Sequence, residues 1–331
     1  MTTLARRVLA LASLALFLDA GCRSSFPKPG EQDDDGPAIE EGPPGQVVPV
    51  DPAADTGARR LAPGLVPGDR IVRDARIELT MDRVGETAEL PAGELVRSYL
   101  FRSRRYEDEV LAAAAGRPTT VRRTYFESFE KAELGLSGGA VKRKEGNQAV
   151  EGVRVRIAEV DGQLEVKEEA LPPGVTEGDL EEVLILDTVG LSAFVPGREV
   201  EPGATWSVPI DKVAEVLGKK PLGADYQGTI LARYLRRVLY DGDESAHIEL
   251  SIDLVQTDRQ EAEVPFAKKT RMVLSGELYY SFGQGRPLYL RASGPTTIEY
   301  TPQGEAPDAL LAKKFVLQGE MTITIQFDRA R

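Results

Sequence analysis

The chain has 331 residues and a formal net charge of −12, from 53 acidic and 41 basic residues, with one cysteine and one histidine. So acidic a surface repels phosphate backbones, which argues against nucleic acid as a partner and against a body lying flat on anionic lipid; solubility is the plain reading. The cysteine and histidine counts exclude an internal disulfide, a Cys/His zinc site and most general acid–base schemes near neutral pH, and neither a cofactor nor a metal is expected.

Arg6 and Arg7 make a positively charged start, and residues 8–18 form an apolar run of Val, Leu, Ala, Ser and Phe. That length fits the ~7–15-residue core of an export signal and falls short of the ~20 residues needed to span a bilayer. Leu18, Ala20, Gly21 and Cys22 resemble the lipobox of bacterial lipoproteins, in which small residues precede a cysteine that is diacylated and becomes the new N-terminus. Asp19 stands where that family usually has Leu. The resemblance implies a removable signal peptide over 1–21. It also implies attachment to the membrane of the cell envelope through palmitate-type chains on Cys22. Arg23 follows the cysteine in place of the Asp that marks inner-membrane retention in the family, so the outer membrane is the implied destination where the source has one. The other reading is an ordinary secretory signal with an unrelated cysteine.

Residues 22–68 are roughly one-third Pro and Gly, with an acidic knot at Asp33, Asp34 and Asp35 and almost no aromatic residues. Such a stretch buries too little apolar area to offset its ordering entropy, so a disordered tether is expected, reaching ~35–40 Å on average. The acidic knot lacks the glycine turn and the spaced bidentate Glu of a calcium loop.

The body is expected over 69–331. Ile71, Ala75, Ile77, Leu79 and Met81 alternate with polar neighbours. So do Ile248, Leu250, Ile252 and Leu254, then Met272, Leu274, Leu278, Tyr280 and Phe282, and finally Phe315, Leu317, Met321, Ile323, Ile325 and Phe327. Period-two alternation marks half-buried strands, and one wet face marks an antiparallel sheet. Asp161-Gly162, Asp241-Gly242 and Gly283-Gln284-Gly285 punctuate hairpins. Helices are expected over 177–188, capped by Thr176, and over 209–218. A third is expected over 94–115, where Val96, Tyr99, Leu100, Tyr106 and Val110 share a helical face. The expected fold class is therefore α+β, dominated by a long-stranded, curved antiparallel sheet with a few short helices. It could divide into two halves, about 69–171 and 195–331. The segment Val200-Glu201-Pro202-Gly203-Ala204-Thr205-Trp206 resembles a V-x-x-G-x-T-W piece of uncharacterised exported, β-rich bacterial proteins. Physically it reads as a turn at Pro202-Gly203 that delivers the only tryptophan into a core.

Two groups of residues carry candidate chemistry. Gly135-Leu136-Ser137-Gly138-Gly139 matches the G-x-S-x-G nucleophile elbow of α/β-hydrolases, with Asp187 and His247 following in that family's chain order. The charged flanks Glu130, Lys131, Glu133, Lys142, Arg143 and Lys144 oppose a buried strand–elbow–helix, and a glycine-rich turn is the plainer reading; His247 likewise reads as a solvated strand residue. The second group is Arg102, Arg104, Arg105, Arg122 and Arg123, interleaved with Tyr99, Phe101, Tyr106, Tyr125 and Phe126. These arginines could grip an anionic envelope polymer or lipid headgroup, or pair with Glu107, Asp108 and Glu109.

The expected function is non-catalytic: an envelope lipoprotein that holds an apolar ligand or a protein partner against the concave face of its sheet. A purely structural envelope component is the alternative. A serine hydrolase using Ser137 is the third reading.

Overall fold

A computed structural model of the protein describes residues 45–51, 57–85, 90, 93–147, 150–160, 163–173, 175, 191–210, 224–258, 266–302 and 314–329. Its strands are β1 (Val47–Pro49), β2 (Arg59–Leu61), β3 (Arg70–Arg83), β4 (Leu95–Ala114), β5 (Arg117–Leu136), β6 (Val141–Asn147), β7 (Arg154–Val160) and β8 (Gln163–Ala170). After a 3-10 turn at Ser192–Phe194 come β9 (Arg198–Val200), β10 (Thr205–Val208), β11 (Ala224–Tyr240), β12 (Asp243–Asp258), β13 (Phe266–Ser281), β14 (Arg286–Pro302) and β15 (Phe315–Arg329). Thirteen strands form one sheet in the order β1-β11-β12-β13-β14-β15-β3-β4-β5-β7-β8, with β10 on β11 and β6 on β5, while β2 and β9 pair by themselves. Every pairing is antiparallel.

The four alternating runs become β3, β12, β13 and β15, and apart from Ile77 their apolar residues lie in or against one core. The Asp241-Gly242 turn has positive φ at both residues, 49° and 82°. That is the type I′ geometry whose twist matches the flanking strands. The halves at 69–171 and 195–331 are joined by continuous pairing of β15 with β3, from Leu317↔Arg83 to Arg329↔Ile71.

The α+β expectation is overturned: the described residues are nearly all strand and contain no α-helix. The stretch 94–115, expected as a helix, is the long strand β4. Its inward positions are Ser98, Leu100, Arg102, Arg104, Tyr106, Asp108 and Val110. Three of them are charged, which hides the period of two from a hydrophobicity reading. Two of them, Arg102 and Asp108, are met by charged partners on β3 and β5 (below). The helix expected over 177–188 lies outside the described residues, as does the one over 209–218 beyond Ile210.

Strand pairing also enters the stretch expected to be tether. β1 pairs with β11, and β2 pairs with β9. Leu61 is completely buried and Leu65 nearly so. The ordered body therefore starts upstream of the expected boundary at 68.

Residues 63–65 also reveal how the sheet curves. Gly64 N donates to Gly285 O (2.9 Å), in the β13–β14 turn, and Leu65 N donates to Gly116 O (3.0 Å), in the β4–β5 turn. On a flat sheet those turns would stand three or four strand spacings apart, ~14–19 Å. Adjacent residues can bond both only if the sheet curls at that end. Gly116 is required there: its φ is 78°, and a side chain would collide with the Pro63 carbonyl. Leu61 and Leu65 pack on the same face as the main core, so the curl is toward that face.

Candidate functional site

Two features share the concave face: an apolar cavity under Phe194 and a set of buried charges on β3, β4 and β5. The cavity is ≈ 20 Å³ and is walled by Phe194, Ile252 and Leu254 of β12, Met272 and Leu274 of β13, Leu290 and Ala292 of β14, and Ile323 and Ile325 of β15. That is about enough room for a water, and the side chains around it are all apolar. Alternation on four adjacent strands points these side chains to one side, and the small Ala292 leaves the gap.

Phe194 ends the 3-10 turn that covers the cavity and is fully buried. The residue leading into that turn, Leu191, has φ 78°. A branched side chain in the left-handed region is strained by on the order of 1–3 kcal/mol. The turn is held from behind by Trp206, whose Nε1 donates to Phe194 O (2.9 Å). The turn expected at Pro202-Gly203 forms, with Ala204 N donating to Glu201 O (3.0 Å) and Gly203 at φ 90°. Trp206 packs half-buried against the core rather than entering it.

The buried charges centre on Asp108. Arg123 reaches it with two hydrogen bonds, Nε to Oδ1 (2.7 Å) and Nη2 to Oδ2 (2.9 Å), and Arg73 Nη2 lies 3.0 Å from Oδ2. Arg123 also sits 4.0 Å over the Tyr106 ring, which packs on Tyr125, and Arg73 sits 5.2 Å over Phe327. Burial opposes charge on Arg123, yet the adjacent Asp108 carboxylate holds its guanidinium well above the ordinary range. Lower on the same face, Arg102 Nε donates to Glu130 Oε2 (2.9 Å), and Arg102 Nη2 contacts the same oxygen. Burial pushes the Glu130 carboxyl up, but the charge and hydrogen bonds of Arg102 outweigh this, with help from Lys144 and Arg104, and hold it below the usual carboxylate range.

The five arginines singled out in the sequence thus do not form one patch. Arg102, Arg104 and Arg123 point into the concave face. Arg105 and Arg122 point outward, Arg105 toward Glu127 (3.9 Å) and Arg122 to Glu109 (3.0 Å) and Glu169 (2.7 Å). Of the three local acids, Asp108 pairs with Arg123 and Glu109 with Arg122, whereas Glu107 is met by Arg70, outside the five. Arg73 escapes a sequence reading, because in the β3 alternation it looks like a polar interruption; its inward parity, shared with Ile71 and Ala75, was the available signal.

The hydrolase constellation is not assembled. Ser137 lies in the turn between antiparallel β5 and β6, where its Oγ accepts from Glu94 N (3.0 Å) and Gly139 N donates to Leu136 O (3.1 Å). There is no strand–elbow–helix at this point. His247 lies on β12, with β4, β3, β15, β14 and β13 between it and β5, near the opposite end of the strands. It is also not the solvated residue expected. Its ring stacks on Tyr279 (4.8 Å), which stacks on Tyr240 (4.8 Å), in a small apolar cluster on the convex face. Its Nε2 lies 3.2 Å from Glu277, and this hydrogen bond chiefly holds the Glu277 carboxyl low. Asp187 and Cys22 lie outside the described residues.

Among the described residues no group of three or more His, Cys, Asp or Glu side chains could hold a metal ion, and no helix is long and apolar enough to cross a membrane. No protein-family model matches the chain, and no curated protein matches it.

Proposed function

We propose that this protein is an envelope lipoprotein, anchored through Cys22, whose body binds an apolar ligand without catalysing a reaction. The observation that carries the reading is the wholly apolar cavity under Phe194. It lies in the concave face of a curled sheet, and its cover is held by a strained turn at Leu191. A ligand larger than water must displace Phe194, and relief of the strain at Leu191 offsets part of that cost. Filling the gap would add packing energy, so its retention suits a face that opens to a ligand.

The test is titration with the neutral apolar probe N-phenyl-1-naphthylamine. Binding should be saturable and should change the emission of Trp206, the only tryptophan, because that residue is bonded to Phe194. Ala292→Leu, which fills the gap, should weaken the probe about tenfold. Absence of saturable uptake, or uptake unchanged in the variant, would return the protein to the structural reading.

The anchor is tested separately by detergent phase partitioning. The native protein is expected in the detergent phase and Cys22→Ala in the aqueous phase, since two acyl chains give stable attachment and none gives no attachment. Aqueous partitioning of both would remove the lipid anchor and leave the ligand site untouched.

A further inference from the structure

We infer that the ligand is an anionic amphiphile, with its chain on the apolar half of the concave face and its carboxylate or phosphate head at Arg104. This rests on the apolar-binding reading above and adds the class of ligand. The register of the sheet places the two halves. Ile325, a wall of the cavity, pairs with Ala75 of β3, and Ala75 pairs with Arg104 of β4. One row along, Ile323 pairs with Ile77, and Ile77 pairs with Arg102. All six side chains share one face, so the surface passes from apolar to guanidinium within two strand spacings, about 10 Å.

The row through Arg104 is the more open of the two. Between Ile325 and Arg104 stands only Ala75, where the neighbouring row has Ile77, so the ridge between cavity and guanidinium is lowest there. Beyond Arg104 in the same row is Ser128, also buried, whose hydroxyl can donate to an anion. The electrostatics have the matching sign. Among the described residues, the buried charged side chains of β3, β4 and β5 are four arginines, Arg73, Arg102, Arg104 and Arg123, and two acids, Asp108 and Glu130. All four arginines are already engaged in the closed fold. An anion therefore joins an existing network in which positive charge predominates, and it needs no idle group. Arginine suits the task because its planar fork meets a carboxylate or a phosphate with two hydrogen bonds, and low surrounding polarity strengthens them. The chain as a whole is acidic, with a formal net charge of −12, so this inward excess of arginine runs against its overall balance.

The test compares 11-(dansylamino)undecanoic acid with its methyl ester, which share a chain and differ only in the charge of the head. The acid should bind the native protein about tenfold more tightly than the ester at low ionic strength. Arg104→Gln should remove that preference, so that acid and ester bind the variant alike, and Arg104→Lys should restore part of it. Ala75→Leu should weaken the acid more than the ester by raising the ridge. Displacement of the bound acid by dodecanoate or by dodecyl phosphate at the lower concentration then identifies a carboxylate or a phosphate head. Equal binding of acid and ester would overturn this inference while the apolar-binding reading stands. Failure of both to bind would overturn the two together. Should Arg104→Gln not fold, the acid–ester comparison on the native protein decides alone.

Discussion

Asp108→Asn is expected to cost the body about 3–5 kcal/mol, enough to unfold much of the population at 37 °C. The carboxylate is completely buried and is shared by Arg73 and Arg123. Removing its charge takes from two buried guanidiniums the carboxylate they share, and the penalty is their less-compensated desolvation rather than the value of the lost hydrogen bonds. Asparagine has nearly the shape of aspartate, so packing changes little and the electrostatic loss is isolated. A second variant separates the two effects. The triple replacement Arg73→Met, Asp108→Leu, Arg123→Met removes all three charges at once and should lie much closer to the native stability. Denaturant midpoints of the three proteins decide the matter. A loss below ~1 kcal/mol for Asp108→Asn would mean that the site is wetter, or better supplied with other anions, than its burial implies.

The second large effect is expected at Ile323. Ile323 is half-buried, and an Asp there puts a carboxylate among the apolar walls of the cavity, beside Ala292 and Ile77 in the register, at a cost of about 2–3 kcal/mol. Thr324→Asp, one residue on, should change stability by no more than roughly half a kcal/mol. Its neighbours across the pairing are Arg291 and Arg76, so a new carboxylate there meets two cations on the convex face. Soluble yield and denaturant midpoint of the pair give the result. Equal tolerance would mean that β15 has no buried face. The reverse order would shift its register by one residue and move every side chain of that strand to the other side.

The contrast between those neighbours was legible in the sequence. Wherever a strand buries apolar residues at alternate positions, as in 71–81, 248–254 and 315–327, the period of two is local and can be read without knowing the partner. The Asp241-Gly242 turn was legible for the same reason, since its chemistry is contained in two residues with positive φ. Even the curve of the sheet was foreseeable, because so many long twisted strands do not stay flat.

Partners distant in the chain decided the rest. β4 was mistaken for a helix because Arg102, Arg104 and Asp108 occupy its inward positions. Arg102 and Asp108 become tolerable only through Glu130, 28 residues from Arg102, and Arg123, 15 residues from Asp108. A composition rich in Pro and Gly read as tether, yet Leu61 is buried because β9, far along the chain, pairs with its strand. The five-arginine cluster dissolved into two faces for the same cause that makes strands legible at all: side chains one residue apart point to opposite sides. Sequence order alone determined which stretches extend and where they turn. Only the register of β15, β3 and β4 placed an apolar cavity two strands from buried arginines, because β15 reaches β3 across most of the chain, as in the pairing of Ile325 with Ala75, and no local pattern encodes that partner.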